Sequence, residues 1–280
     1  MIEFDGVSDL HDPLLIAAFE GWNDAGEAAT ACVEHLEREW DATTVASLDP
    51  DDYYDFQVNR PVVDIDDTGI RSLQWPTTRI SVARPPGRDR DVVLIRGIEP
   101  NMRWRGFCRE LLAAANELGV EQVVTLGALL ADVPHTRPVP VTISASDPAQ
   151  AAALGLEPSR YEGPTGIVGV FQDAATRGGL DAVSLWAAVP HYVAQSPCPK
   201  ATLVLLQQVE DLLDLPIPLG DLTEQSEAWQ HGVDELANDD PDIAEYVHRL
   251  EEARDAADLP EASGEHIARE FERYLRRRNP

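Results

Sequence analysis

The residues best suited to chemistry fall in four short groups: Glu20 with Asn23 and Asp24, Arg96 with Glu99, Asp132 with His135 and Arg137, and His191 with Tyr192. An imidazole at His135 or His191 can take up or release a proton near neutral pH. Arg96 and Arg137 could clamp an anion such as a phosphate or carboxylate. Glu20 or Glu99 could orient a hydroxyl or a base, and His135, His191 and Glu99 are the candidate catalytic groups. Pro134, Pro138 and Pro140 stiffen the backbone that carries His135 and Arg137. Stiffening lowers the entropy lost in presenting a site, and equally in presenting a subunit interface.

Each group follows an apolar run with the look of a buried strand. Leu14–Phe19 precedes Glu20, Asp91–Arg96 runs into Gly97-Ile-Glu-Pro100, Val123–Leu130 stops before Asp132, and Leu180–Val189 stops before Pro190-His191. The Val-Pro-His of 133–135 recurs at 189–191. Between these runs the apolar spacing predicts helices: one carrying Ala28, Ala31, Cys32, His35 and Leu36, then 103–118, 147–154, 167–177 and 200–215. Further strands are predicted at 43–48 and 139–145, and residues 49–90 read as a strand-rich excursion at the sheet edge.

Strands alternating with helices predict an α/β fold of three layers around a mostly parallel sheet. In such sheets the functional crevice lies beyond the carboxyl ends of the strands, so the four groups should meet on one rim. Residues 1–218 are predicted to form this core. Residues 219–280 hold no convincing strand and read as a helical subdomain, with segments near 223–236, 241–257 and 261–278.

Plain structural roles compete with the chemical ones. Asn23 and Asp24 are natural helix caps, and Arg96 and Glu99 could pair with each other or with a neighbouring turn. His135 and His191 lack the HxxxH or HExxH spacing of a metal site, so no metal is expected. There is no GxGxxG, GxxxxGK[ST] or GxSxG pattern, and no cofactor is expected.

Composition narrows the classes. A net charge of −28 opposes nucleic acid and anionic membranes, because phosphates would be repelled. The widely spaced Cys32, Cys108 and Cys198 fit reduced thiols better than a disulfide framework. No run reaches the roughly 18 to 20 apolar residues of a membrane span, and the acidic start MIEFDGVSDLHDP is unlike a signal peptide. A cytoplasmic location is expected.

Five ordered blocks carry a resemblance: GWNDAG (21–26), GIEPNMRW (97–104), GALLADVPHTRPVPV (127–141), YEGPTGIVGVFQDA (161–174) and SLWAAVPHYVAQSPCPKATL (184–203). Together they resemble the actinobacterial branch of the PAC2 family, named for proteasome assembly chaperone 2. The resemblance implies a core similar to the phosphorylase/hydrolase fold of purine nucleoside phosphorylases, a helical C-terminal addition and a homo-oligomer, expected as a trimer. It also implies proteasome subunits as possible partners. Archaeal relatives dock through a C-terminal hydrophobic-Tyr-X tail. Here Tyr274 is followed by six residues, a departure from that pattern.

Two functions stay open at this stage. One is a non-enzymatic oligomeric protein-binding or assembly factor, which the missing catalytic motifs favour. The other is a phosphorylase/hydrolase-like enzyme for a nucleoside or anion, with His135, Arg137 and His191 facing a pocket.

Overall fold

The computed structural model describes residues 4, 9–87, 89–156, 161–193, 196–214 and 216–258. The helix expected at 261–278 and Tyr274 lie outside them. In chain order the elements are β1 (Leu14–Glu20), α1 (Ala28–Glu39), β2 (Thr43–Ser47), β3 (Val62–Ile65), β4 (Arg71–Gln74), β5 (Arg79–Ala83), β6 (Val92–Ile98) and α2 (Trp104–Glu117). There follow β7 (Gln122–Ala131), β8 (Val141–Ala145), α3 (Pro148–Ala153), α4 (Ile167–Arg177), β9 (Asp181–Pro190), α5 (Pro199–Leu213), α6 (Leu222–Asp239) and α7 (Pro241–Asp258).

A seven-stranded sheet runs in the order β2-β5-β6-β1-β7-β9-β8. Its centre, β6-β1-β7-β9, is parallel, whereas β5 and β8 run against their neighbours. The sheet is therefore mixed at its edges. β5 and β6 are joined by a short connection, which brings the second strand back antiparallel. The excursion at 49–90 divides: β5 joins the main sheet, while β3 and β4 form a separate two-stranded hairpin.

β1 explains the layering. Its unbroken apolar run is buried on both faces, as a central parallel strand must be. Leu14, Ile16 and Ala18 enter the core under α1 and α5, while Leu15, Ala17 and Phe19 enter the core under α2 and α4. Phe19 meets Phe107 of α2 and Phe171 of α4 edge-on, with centroids 5.6 and 6.1 Å apart. Beyond α5, the chain leaves through Pro218, whose carbonyl oxygen lies 2.7 Å from His35 Nε2 on α1. Then α6 packs on α5, and α7 packs on α6.

Candidate functional site

Because β6, β1, β7 and β9 are parallel, Glu20, Ile98, Ala131 and Pro190 end their strands on one rim. The predicted groups follow those ends, and they divide into two sets with different work.

The first set surrounds the turn after β1. Asn23 is stitched to β7 through its carbonyl oxygen, which accepts from the Ala128 amide at 2.7 Å. Asp24 is buried and caps α1: Oδ1 accepts from the Ala29 amide at 2.7 Å and the Thr30 amide at 3.3 Å, and Oδ2 accepts from the Thr30 hydroxyl. Burial raises its pKa, and those hydrogen bonds oppose the rise. Glu99 caps a different helix, accepting from the Ile167 amide at 2.8 Å where α4 begins. Its backbone amide donates to the Glu20 carbonyl at 2.8 Å.

Gly166, just before α4, permits this crowding, since a methyl group there would strike Asn23 Oδ1. That oxygen is buried without a hydrogen-bond partner among the described residues. Desolvation raises the pKa of Glu20; the Asp24 carboxylate adds to the rise and Arg96 opposes it. Arg96 does not pair with Glu99. Its register opposite Ala18 points it to the α1 side, where Nε donates to Glu37 Oε2 at 2.8 Å.

The second set lies at the tips of β7 and β9. His135 is 1% exposed, and protein groups hold both ring nitrogens. Nδ1 lies 2.7 Å from the Tyr192 hydroxyl and Nε2 lies 3.0 Å from Asp234 Oδ1 on α6. The Tyr192 hydroxyl also accepts from the His135 backbone amide at 2.7 Å. With that lone pair in use, its proton is free for Nδ1, and the network assigns a neutral imidazole with its proton on Nε2. Burial lowers the His135 pKa, against the pull of Asp234.

The neighbouring groups turn the same way. Arg137 forms a two-pronged pair with Asp255 on α7, both contacts at 2.8 Å, and reaches Glu251 at 3.2 Å. The Thr136 hydroxyl also donates to Glu251. His191 Nδ1 lies 3.2 Å from Asp132 Oδ1, which accepts from the Tyr246 hydroxyl at 3.1 Å. Edge-on ring contacts run from His135 to Tyr192, His191 and Tyr246, with centroids 5.5 to 5.9 Å apart.

The two histidines thus come to one rim, both against the Tyr192 ring, but only His135 is buried under α6, while His191 stays exposed beside Tyr246 of α7. Arg137 and His135 are taken up in seating those helices, and the exposed Asp132–His191 pair touches α7 only through Tyr246. Sequence reasoning missed the other half of the seat: Gln230, Asp234, Tyr246, Glu251 and Asp255, along with Lys200. Lys200 Nζ donates to the His135 carbonyl and to Gln230 Oε1. It is the sole lysine of the chain, a signal that was available. Among the described residues no group of three His, Cys, Asp or Glu side chains is placed to hold a metal. An open pocket of about 610 Å³ lies at the opposite edge, where Leu14, Gln122 and Asp181 begin their strands.

Comparison with known proteins bears on this arrangement. The family model described as the PAC2 family matches residues 18–237. That span holds the first set and His135 with Asp234, and it stops before α7. A PAC2 family protein from Streptomyces avermitilis is 63% identical, covers 84% of this chain and 100% of its own, and superposes with a TM-score of 0.80. A proteasome-assembly chaperone homologue from Mycobacterium tuberculosis is 57% identical over 84% of this chain and 99% of its own, with a TM-score of 0.76. The Pyrococcus furiosus archaeal proteasome activator PbaB, at 18% identity, covers 84% of this chain and 98% of its own with a TM-score of 0.67, a likeness of fold alone. No protein with a curated description matches. Agreement of a family model over most of the chain with two solved relatives above half identity leads to one conclusion: this chain belongs to the PAC2 family.

Proposed function

We propose that this chain is a non-enzymatic, oligomeric protein-binding factor that assists assembly or docking of the proteasome. One observation carries the reading: His135, one of the two histidines on the rim, is sealed beneath α6 with both ring nitrogens engaged. A general acid or base has to reach a proton on its substrate. Family membership supports the direction, since one relative is named a proteasome-assembly chaperone homologue.

Finer elements belong to the same proposal. The core is of the phosphorylase/hydrolase type, for which the helices on both faces and the polar strand-end rim speak. Residues 1–218 form that core, and 219–280 form a subdomain seated on it through His135, Arg137 and Tyr192. The first set, Glu20, Asn23, Asp24, Arg96 and Glu99, holds the rim in shape for a partner. The protein works in the cytoplasm as a homotrimer, with itself and proteasome subunits as partners.

The test is affinity capture of the tagged full chain from a proteasome-bearing host, before and after assembly is stalled. Enrichment of proteasome α subunits is expected, stronger in the stalled cells. Repeated capture without any proteasome subunit would overturn the reading.

A further inference from the structure

Helices α6 and α7 are held in different ways. α6 packs Leu222 and Trp229 against the core under α1 and α5, and it buries Val233 and Ala237 as well. Among the described residues α7 adds none to either core, and Val247 is its one buried side chain. It lies on α6 and is otherwise held by polar groups at the tips of β7 and β9. Asp255 and Glu251 grip Arg137, Glu251 accepts from the Thr136 hydroxyl, and the Tyr246 hydroxyl donates to Asp132. Asp255 is 56% exposed, and ion pairs that open to water contribute little.

Charge opposes this contact everywhere but at one point. α7 carries six acidic side chains against two arginines, and the chain it lies on is itself strongly acidic. Among the described residues, every carboxylate that pairs with Arg137 belongs to α7. The face beneath has supports of its own. Pro134, Pro138 and Pro140 stiffen the loop that presents Thr136 and Arg137, and Tyr192 is fixed by its two contacts with His135. The match to the family model includes this face and ends at residue 237, before α7 begins.

We infer that α7 is a detachable strap, an internal stand-in for an acidic helix of a partner, and that the Thr136–Arg137 face beside Tyr192 receives that helix when the strap lifts. The strap shows what the face reads. Glu251 and Asp255 stand one helical turn apart, so both carboxylates reach the guanidinium from one side of the helix. The partner is therefore a helix with carboxylates four residues apart, laid along α6 in place of α7. This goes beyond the proposed function and holds whatever protein supplies the helix.

The probe is a labelled synthetic peptide of residues 240–258. A lactam bridge from His248→Lys to Glu252, both exposed positions, holds it helical. Binding to the full chain is read by fluorescence anisotropy. Glu251→Gln/Asp255→Asn in the full chain opens the strap, and this variant should bind the peptide about tenfold more tightly than wild type, whose own strap competes at high local concentration. A peptide with the same two substitutions should bind neither chain, and adding Arg137→Ala to the opened chain should abolish binding. Equal binding to wild type and opened chain, or binding to neither, overturns the inference. So does equal binding of a scrambled peptide, which would show charge attraction alone.

An alanine-based helix carrying only the counterparts of Val247, Glu251 and Asp255 should displace the labelled peptide. Failure to do so would confine the face to α7 and overturn the partner helix. Should the opened variant lose its fold, hydrogen exchange of the wild type decides. Amides of 241–258 should exchange about tenfold faster than those of 222–239, as expected of a weakly held unit. Equal protection of the two helices overturns the strap.

Discussion

The Tyr192 hydroxyl lies 2.7 Å from both the backbone nitrogen and Nδ1 of His135, so a single oxygen sets the position and the tautomer of that ring. Burial pushes the Tyr192 pKa up to about 12, which keeps its proton in place to be donated. Tyr192→Phe would leave two buried groups of His135 unsatisfied. It should destabilise the fold by about 1 to 3 kcal/mol in urea unfolding. A smaller loss would mean that the ring is not held as described.

The same ring gives a pH dependence of known sign. Burial lowers the His135 pKa in the folded chain below the ordinary 6.5, while Asp234 and Glu251 pull it upward and Lys200 pushes it down. Between the two pKa values the unfolded chain binds more protons, so stability falls as pH drops through the unfolded value toward the folded one. The melting temperature should therefore decline on acidification from pH 7, and His135→Gln should flatten that part of the curve. A wild-type curve that rises over this range would contradict the burial of a neutral imidazole.

Arg137→Ala should release α7 without opening the sheet. Its pairing with Asp255 holds that carboxyl below the usual carboxylate range, so the contact persists at neutral pH and weakens only as pH falls through the depressed value. Hydrogen exchange should accelerate several-fold at 241–258, with β1 and β7 unchanged. Equal acceleration in both would place Arg137 in the stability of the core.

Gly97→Ala tests the close approach of two strands. A methyl group at Gly97 would lie 2.6 Å from the Thr78 Cα, and backbone has little room to move. The Thr78 hydroxyl is also tied to Tyr54 at 2.8 Å. A loss of about 1 to 3 kcal/mol is expected by chemical denaturation.

The thiols should be silent. Cys32, Cys108 and Cys198 are buried, and desolvation raises the pKa of each, that of Cys108 to about 11. A thiol reagent at mildly alkaline pH should label the chain only after it is unfolded. Labelling of the native protein would show that one of the three is reached by local opening.

Much of the fold was legible because burial writes itself into composition. Leu14–Phe19 and Val123–Leu130 are apolar with little alternation, and their modest length and β-branched or proline-bounded ends fit strands covered on both sides, although Leu129 and Leu130 at the tip of β7 prove exposed. Their parallel pairing then put His135 and His191 on one rim. The direction of β5 and β8 was harder to read, since a short edge strand looks alike either way. The use of the rim was hidden for a different reason. Asp234, Tyr246, Glu251 and Asp255 lie far along the chain from His135 and Arg137, among many other acids, and nothing in their spacing marks them as counterparts. The sole lysine, Lys200, is the one residue whose rarity points toward the seat of α6.

The place of β1 also bears on how the molecule comes to be made. It is the first of the described strands along the chain, yet both of its hydrogen-bonded neighbours, beginning at Val92 and Gln122, are synthesised much later. Until they emerge, six apolar residues have no edge to join, and local collapse around them brings no reward. Nascent chains should therefore stay open to holding chaperones until β7 is out, and the sheet should then close in a late, concerted step.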